Sequence, residues 1–230
     1  MMEIKRLFKI SAIIGICLFS DLGLAQTIDS SFAGPYFLKR EAYFEALPSK
    51  NKAIVFLGNS ITEVGEWSEL FAAKNVVNRG ISGDVTYGVL NRLSFILNQK
   101  PKKIFLEIGV NDIKRGASIE NVSKNYELII KQIRQTSPKT NLYVQSILPV
   151  NEGMLADIYA KITNDRIINT NLKLKELTEK YDCIFVDLHQ SDLKAKDGQL
   201  KKELSTDGLH LQPLAYIVWA NYLKSLKYIR

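Results

Sequence analysis

Ala53-Ile54-Val55-Phe56-Leu57-Gly58-Asn59-Ser60 is the stretch whose reading decides the fold. Its first five residues are apolar without alternation. A strand buried on both faces needs that pattern, and parallel sheets covered by helices supply such burial. The run then breaks into a Gly-Asn-Ser turn. Lys103-Ile104-Phe105-Leu106-Glu107-Ile108 is a second run of this type, and Leu142-Tyr143-Val144-Gln145-Ser146-Ile147 a third. Ile184-Phe185-Val186-Asp187 is a fourth, and Val76-Val77-Asn78 a shorter fifth.

Helical patterns fill the gaps between these runs. Val89, Leu93, Ile96 and Leu97 share one face at helical spacing. Val122, Tyr126, Ile129 and Ile133 do the same, with Ser118 placed to cap the start and Pro138 just past the end. Ile167, Leu174, Leu177 and Tyr181 form a further stripe. The last helix is expected to open at Pro213, since proline suits the first turn, and to bury Leu214, Ile217, Val218 and Tyr222. Residues 26–39 are mixed and polar, and are expected to wrap the surface. Strands alternating with helices imply right-handed crossovers and a mostly parallel sheet. The expected fold class is therefore α/β: a three-layer α/β/α sandwich with a five-stranded, mostly parallel sheet.

Residues 1–25 read as a signal peptide. Lys5, Arg6 and Lys9 precede an apolar stretch from Ile10 to Phe19, and Gly23-Leu24-Ala25 is a small-x-small cleavage site. The stretch falls short of the ~20 apolar residues that span a bilayer. An uncleaved N-terminal anchor is the alternative. Cys17 follows Ile16 rather than a small residue, which argues against lipid attachment. Export to a periplasm or the medium follows, with no stable membrane insertion after cleavage. The mature chain, residues 26–230, fits a single domain.

Cleavage removes three basic and two acidic residues, so the net charge falls from +7 to +6. The lysines are scattered and form no basic stripe with interleaved aromatics, so a nucleic-acid partner is not expected. Cys183 is the only cysteine beyond residue 25, which leaves no intramolecular disulfide; it reads as a small buried apolar residue.

In parallel α/β sheets, ligands bind beyond the carboxyl ends of the strands. Four segments fall there: Gly58-Asn59-Ser60, Asn78-Arg79-Gly80-Ile81-Ser82-Gly83-Asp84, Gly109-Val110-Asn111-Asp112 and Asp207-Gly208-Leu209-His210. Ser60 offers a hydroxyl nucleophile, or merely a helix cap. Gly58 is expected to permit a backbone conformation that a side chain would oppose. Gly83, just before a helix start near Val85, exposes amides that attract negative charge; the plain alternative is a turn glycine with Asp84 as cap. Asn111 supplies an amide donor or an Asx-turn. His210 is one of two histidines and titrates in the range a general base needs. Asp207, three residues earlier, is placed to orient its ring. His189 in Asp187-Leu188-His189 is the rival base. No His/Cys cluster has metal-ligand spacing, and glycine fingerprints for nucleotides are missing.

Taken together, the four segments resemble those of the SGNH hydrolases, also called the GDSL esterase/lipase family. The family's Ser, Gly, Asn and His correspond to Ser60, Gly83, Asn111 and His210. The resemblance implies a flavodoxin-like SGNH fold. It implies a triad of Ser60, His210 and Asp207, with an oxyanion hole made of the Ser60 amide, the Gly83 amide and the Asn111 side chain. No cofactor or metal is implied. The second and third blocks look most like the branch of platelet-activating-factor acetylhydrolase subunits and bacterial carbohydrate acetylesterases. The expected activity is hydrolysis of short acyl esters, acetyl above all, on a carbohydrate. A lipid or thioester acylhydrolase, or a glycan-binding protein without turnover, is the alternative. One departure stands out: the family's first block reads Gly-Asp-Ser, and here Asn59 replaces the acid.

Overall fold

The computed structural model describes residues 32–72 and 75–229. The expected signal peptide lies outside these residues. Five parallel strands form one sheet in the order β2-β1-β3-β4-β5. They are β1 (Ile54–Gly58), β2 (Val76–Gly80), β3 (Lys103–Glu107), β4 (Asn141–Gln145) and β5 (Ile184–Val186). The helices are α1 (Pro35–Ala46), α2 (Ser60–Val64), α3 (Trp67–Leu70), α4 (Thr86–Asn98), α5 (Val110–Lys114), α6 (Ile119–Thr136), α7 (Asn164–Lys180) and α8 (Pro213–Ser225). The chain is therefore the α/β sandwich its apolar runs predict, and every residue of β1 is buried.

The two faces of the sheet are packed differently. On one, Phe56, Phe105 and Tyr143 stack across β1, β3 and β4, with ring centroids 5.0 and 4.4 Å apart. Trp67 stacks on Phe56 at 4.0 Å and meets Trp219 of α8 edge-on at 4.9 Å. Aromatic pairs in these geometries add to the energy of apolar burial. The other face carries α4, α6 and α7, whose apolar stripes are buried at Val89, Leu93, Val122, Tyr126, Ile129, Ile133, Ile167 and Leu174. Ser118 caps α6, its hydroxyl accepting from the Asn121 amide at 3.2 Å.

Four expectations need correction. Residues 35–46 form α1 rather than a surface wrap, and Phe37 and Phe44 join Phe32, Ile81 and Val85 in a second apolar cluster. Pro at the first turn and three phenylalanines are enough to fold and anchor it. In α8 the buried face is Ala215, Tyr216, Trp219, Ala220 and Leu223, whereas Leu214 and Ile217 stand exposed. The two aromatics fix that rotation: Tyr216 donates to the Ile61 carbonyl at 2.9 Å and Trp219 to the Gln145 side chain at 2.9 Å. The third concerns β5, which is the sheet edge, so Ile184 is exposed. The fourth concerns Cys183 next to it, which is half-buried, 3.3 Å from the Arg134 guanidinium.

Candidate active site

Ser60 opens α2 directly after β1. Asn59 caps this helix, its Oδ1 accepting from the Ile61 amide at 2.9 Å. An amide oxygen does this as a carboxylate would, so the replacement of the family's acid preserves the turn. Gly58 is required for space and not for backbone freedom, which corrects the expectation. A Cβ there would lie 2.2 Å from both the Glu107 carbonyl and Thr62 Oγ1. At its other end α2 is closed by Asn78, whose Nδ2 donates to the carbonyls of Thr62, Glu63 and Gly65 at 2.9–3.0 Å.

Asp207, Gly208, Leu209 and His210 lie on one tight loop between β5 and α8. Gly208 has φ +88°, and a Cβ on it would strike the Asn151 carbonyl at 2.5 Å. Asp207 Oδ1 accepts from the amides of Leu209 at 3.0 Å and His210 at 2.7 Å. Its Oδ2 lies 2.7 Å from His210 Nδ1. Burial opposes ionisation of Asp207, but the His210 amide and ring, followed by the Leu209 amide, outweigh it and hold the carboxyl below its usual range. An ionised Asp207 keeps the ring proton on Nδ1, which leaves Nε2 as an acceptor. Nε2 sits 3.2 Å from Ser60 Oγ.

Gly83 lies in a turn closed by the Asp84 amide donating to the Ile81 carbonyl at 3.1 Å, with Gly83 at φ +80°. A positive φ at the third position suits glycine. The turn is exposed at Ser82 and Gly83. Asn111 is in the first turn of α5, after Gly109 at φ +124°, and its Nδ2 donates to the Asp84 carbonyl at 2.9 Å. That bond uses one of the two Nδ2 protons and ties the Asn111 side chain to the Gly83 loop. Asp84 is not the cap of α4, contrary to one expectation. It turns inward to Arg92, accepting at 3.0 and 2.8 Å, and Arg92 also donates to the carbonyls of Arg79 and Gly58. The first α4 amide, at the buried Thr86, goes instead to Asp112, at 3.1 and 3.2 Å. Burial pushes the Asp112 carboxyl up to about 6, against the pull of Thr86.

The structure thus brings Ser60, His210 and Asp207 into one chain of contacts. Gly83 and Asn111 lie on the two neighbouring strand ends, β2 and β3. His189 is elsewhere. Its Nε2 is 2.9 Å from the Ile147 carbonyl and 3.3 Å from Asn171, and burial depresses its pKa. Arg92, Asn78 and Glu63 were not anticipated. For Arg92 and Asn78 the available signal was a polar residue inside an apolar pattern; Glu63 left none. Among the described residues no cluster of His, Cys, Asp and Glu has the arrangement of a metal site, and no helix is long and apolar enough to cross a membrane.

Around the triad, two surfaces differ in character. On one side the Tyr159 ring lies edge-on to His210 at 6.5 Å, with the Lys114 ammonium 4.5 Å from that ring. The other, which includes no triad residue, is an open groove of about 380 Å³ between α2, α3 and α8, where Val64, Leu70, Leu214 and Ile217 are joined by the carboxylates of Glu66 and Glu69.

Comparison with known proteins agrees with this fold. Residues 56–217 match the GDSL-like Lipase/Acylhydrolase family. Platelet-activating factor acetylhydrolase IB subunit alpha2 of Rattus norvegicus is 33% identical over 109 residues, 45% of this chain and 47% of the relative. The matched stretch spans about half the length of that curated relative. A solved structure described as a platelet activating factor from Streptococcus pneumonia is 33% identical, with TM-score 0.75 over 85% of this chain and 91% of the other. The acetyl-xylooligosaccharide esterase Axe2 of a Geobacillus shares the fold alone, at 15% identity and TM-score 0.61 over 80% of this chain and 99% of the other.

Proposed function

The chain belongs to the GDSL-like lipase/acylhydrolase family, and on that premise we propose that it is a serine carboxylic-ester hydrolase that removes short acyl groups, acetyl above all, from carbohydrates through an acyl-enzyme on Ser60. The observation that carries this is the relay from Asp207 to His210 to Ser60, at 2.7 and 3.2 Å. His210 Nε2 takes the Ser60 proton as Oγ attacks the ester carbonyl. The oxyanion is met by the Ser60 and Gly83 amides and by the Asn111 Nδ2 proton not bonded to Asp84. Collapse expels the alcohol, which collects its proton from His210. Water then attacks the acyl-enzyme, His210 acting as base, and the acid leaves. No step calls on a cofactor or metal.

The Tyr159 ring near His210 supports a sugar leaving group, since an aromatic face can stack on a sugar ring and Lys114, over the same ring, can donate to its hydroxyls. A lipid or thioester acylhydrolase is the second reading, and the groove beside α2, apolar apart from Glu66 and Glu69, favours it. The chain is proposed to act outside the cytoplasm, after cleavage before Gln26; N-terminal sequencing of exported protein tests that. The two substrate readings separate on a panel of acetylated sugars, acetylated xylan, sialate esters and nitrophenyl esters of rising chain length, run beside Ser60→Ala. Fastest turnover on acetyl esters, lost in the variant, supports the first reading. Rates that climb with chain length select the second. Saturable glycan binding without turnover selects a glycan-binding protein.

A further inference from the structure

Helix α1 precedes the segment that matches the family, yet it reaches the loop that carries Gly83. Two contacts do this. Phe32, Phe37 and Phe44 bury themselves against Ile81 and Val85, on either side of the Gly83 turn. Beside that cluster, one carboxylate gathers groups from two other segments. Glu63 Oε1 accepts from the Tyr36 hydroxyl at 2.6 Å and pairs with Arg40 Nε at 2.8 Å, both from α1. Glu63 Oε2 accepts from the Ser82 amide and the Ser82 hydroxyl, each at 2.6 Å. Glu63 itself sits on α2, one turn past Ser60.

We propose that Glu63, held by Tyr36 and Arg40 of α1, is a positioning residue that fixes the Gly83 amide of the oxyanion hole relative to Ser60. The proposal rests on the triad reading above. The geometry carries it in three steps. The Ser82 amide is pinned by Glu63, and the Asp84 amide is pinned by the Ile81 carbonyl at 3.1 Å. The Gly83 amide is the one between them, so its direction is set by two fixed neighbours. The anchor of the first is on the same short helix as the nucleophile, and that helix cannot slide. A Cβ on Gly80 would lie 2.2 Å from the Glu63 amide nitrogen, so β2 and α2 are already in backbone contact. The turn therefore takes its position from α2, and nucleophile and donor move as one body. Donors that are aimed before the reaction cost no reorganisation when the charge develops.

A purely structural role makes a different forecast. The Glu63 side chain is 12% exposed and that of Arg40 28%, so removing the carboxylate lowers stability somewhat, but α1 keeps its own apolar anchor in Phe37 and Phe44. Losing Glu63 is then expected to spare the fold and to impair the transition state. In Glu63→Ala, kcat is expected to fall about 10-fold, part of the ~10²–10³ that a whole oxyanion donor is worth. KM stays within about twofold, because ground-state binding does not use the oxyanion hole. Affinity for an alkyl boronic acid, whose tetrahedral adduct on Ser60 places an oxygen in that hole, weakens by the same factor as kcat. Glu63→Gln keeps an acceptor for Ser82 and restores most of both. Tyr36→Phe and Ser82→Ala, each removing one hydroxyl, give smaller parallel losses and carry the test should Glu63→Ala not fold.

A Glu63→Ala enzyme with wild-type kcat overturns the proposal. So does a fall in kcat with boronate affinity unchanged, or Glu63→Gln no better than Glu63→Ala. Ser60→Ala, assayed in parallel, separates the two levels. An active Ser60→Ala removes the triad reading itself, whereas an inactive one beside a fully active Glu63→Ala removes only the role of Glu63.

Discussion

The two halves of the proposed site are built in opposite ways. The nucleophile half, from Gly58 through Asp84 and Asn111, is set into the sheet. Asn59 is fully buried, and the Arg92 and Asp84 side chains are 3% and 0% exposed. The base half is a surface loop whose His210 and Asp207 side chains are 36% and 39% exposed. The difference follows from what each half must do. Donors for a developing oxyanion work best when rigid, and buried Asn59, Asp84 and Arg92 hold in place a turn that is itself exposed at Ser82 and Gly83. A base that takes a proton, returns it and then activates water benefits from solvent at its edge.

If that division holds, variants on the two sides fail differently. Ser60→Ala is expected to lower kcat on the order of 10⁶-fold, as for other triads, with an unchanged melting curve. On the base side, Asp207→Asn is expected to lose less activity than His210→Ala, since the aspartate orients the ring and moves no proton. It too melts like the wild type, because the loop is exposed. Arg92→Ala sharpens the contrast from the buried side. It leaves Asp84 as an uncompensated buried charge and frees the carbonyls of Gly58 and Arg79, for a loss of about 3–5 kcal/mol in a urea titration. Equal stability loss from Asp207→Asn and Arg92→Ala contradicts the division.

Glu107 gives a smaller effect with a sign. It is fully buried at the end of β3, neither carboxylate oxygen has a partner, and burial alone pushes its pKa from 4.5 to about 8. The folded chain therefore holds this proton between pH 4.5 and about 8, where the unfolded chain has released it. Its contribution is greatest below pH 4.5, declines by up to ~1.4 kcal/mol per pH unit as pH rises, and levels off above about 8. Glu107→Gln is expected to remove that slope in urea titrations across the range. Parallel stability curves for the two proteins contradict the assignment of a buried neutral acid. Smallest of all, Ser118→Ala is expected to cost about 1 kcal/mol through the lost α6 cap, with no change in kcat.

The same contrast governs what the sequence reveals. Unbroken apolar runs such as Ala53–Leu57 specify burial on both faces, and burial on both faces specifies a parallel sheet. Ser60, Gly83 and Asn111 were legible as candidates because they follow strand ends, whereas His210 lies deep in the long connection between β5 and α8 and was legible only through its Asp207-Gly208-Leu209-His210 block. Glu63 was not. Its partners Tyr36, Arg40 and Ser82 lie up to 27 residues away, and their meeting depends on how α1 docks. The face of α8 was misread for a related reason. Leu214 and Ile217 have the hydropathy of core residues, but Tyr216 and Trp219 have both the bulk and the hydrogen-bond partners, Ile61 of α2 and Gln145 of β4. Gly58 shows the limit most simply: its need is the 2.2 Å approach of Thr62 and Glu107, which no local pattern encodes.

The measurement closest to the centre is covalent labelling with a fluorophosphonate, followed by mass mapping of the peptides. The account predicts a single adduct per chain, on the peptide that contains Ser60, absent in Ser60→Ala and formed far more slowly in His210→Ala. An adduct on a different serine, or undiminished labelling of Ser60→Ala, contradicts it.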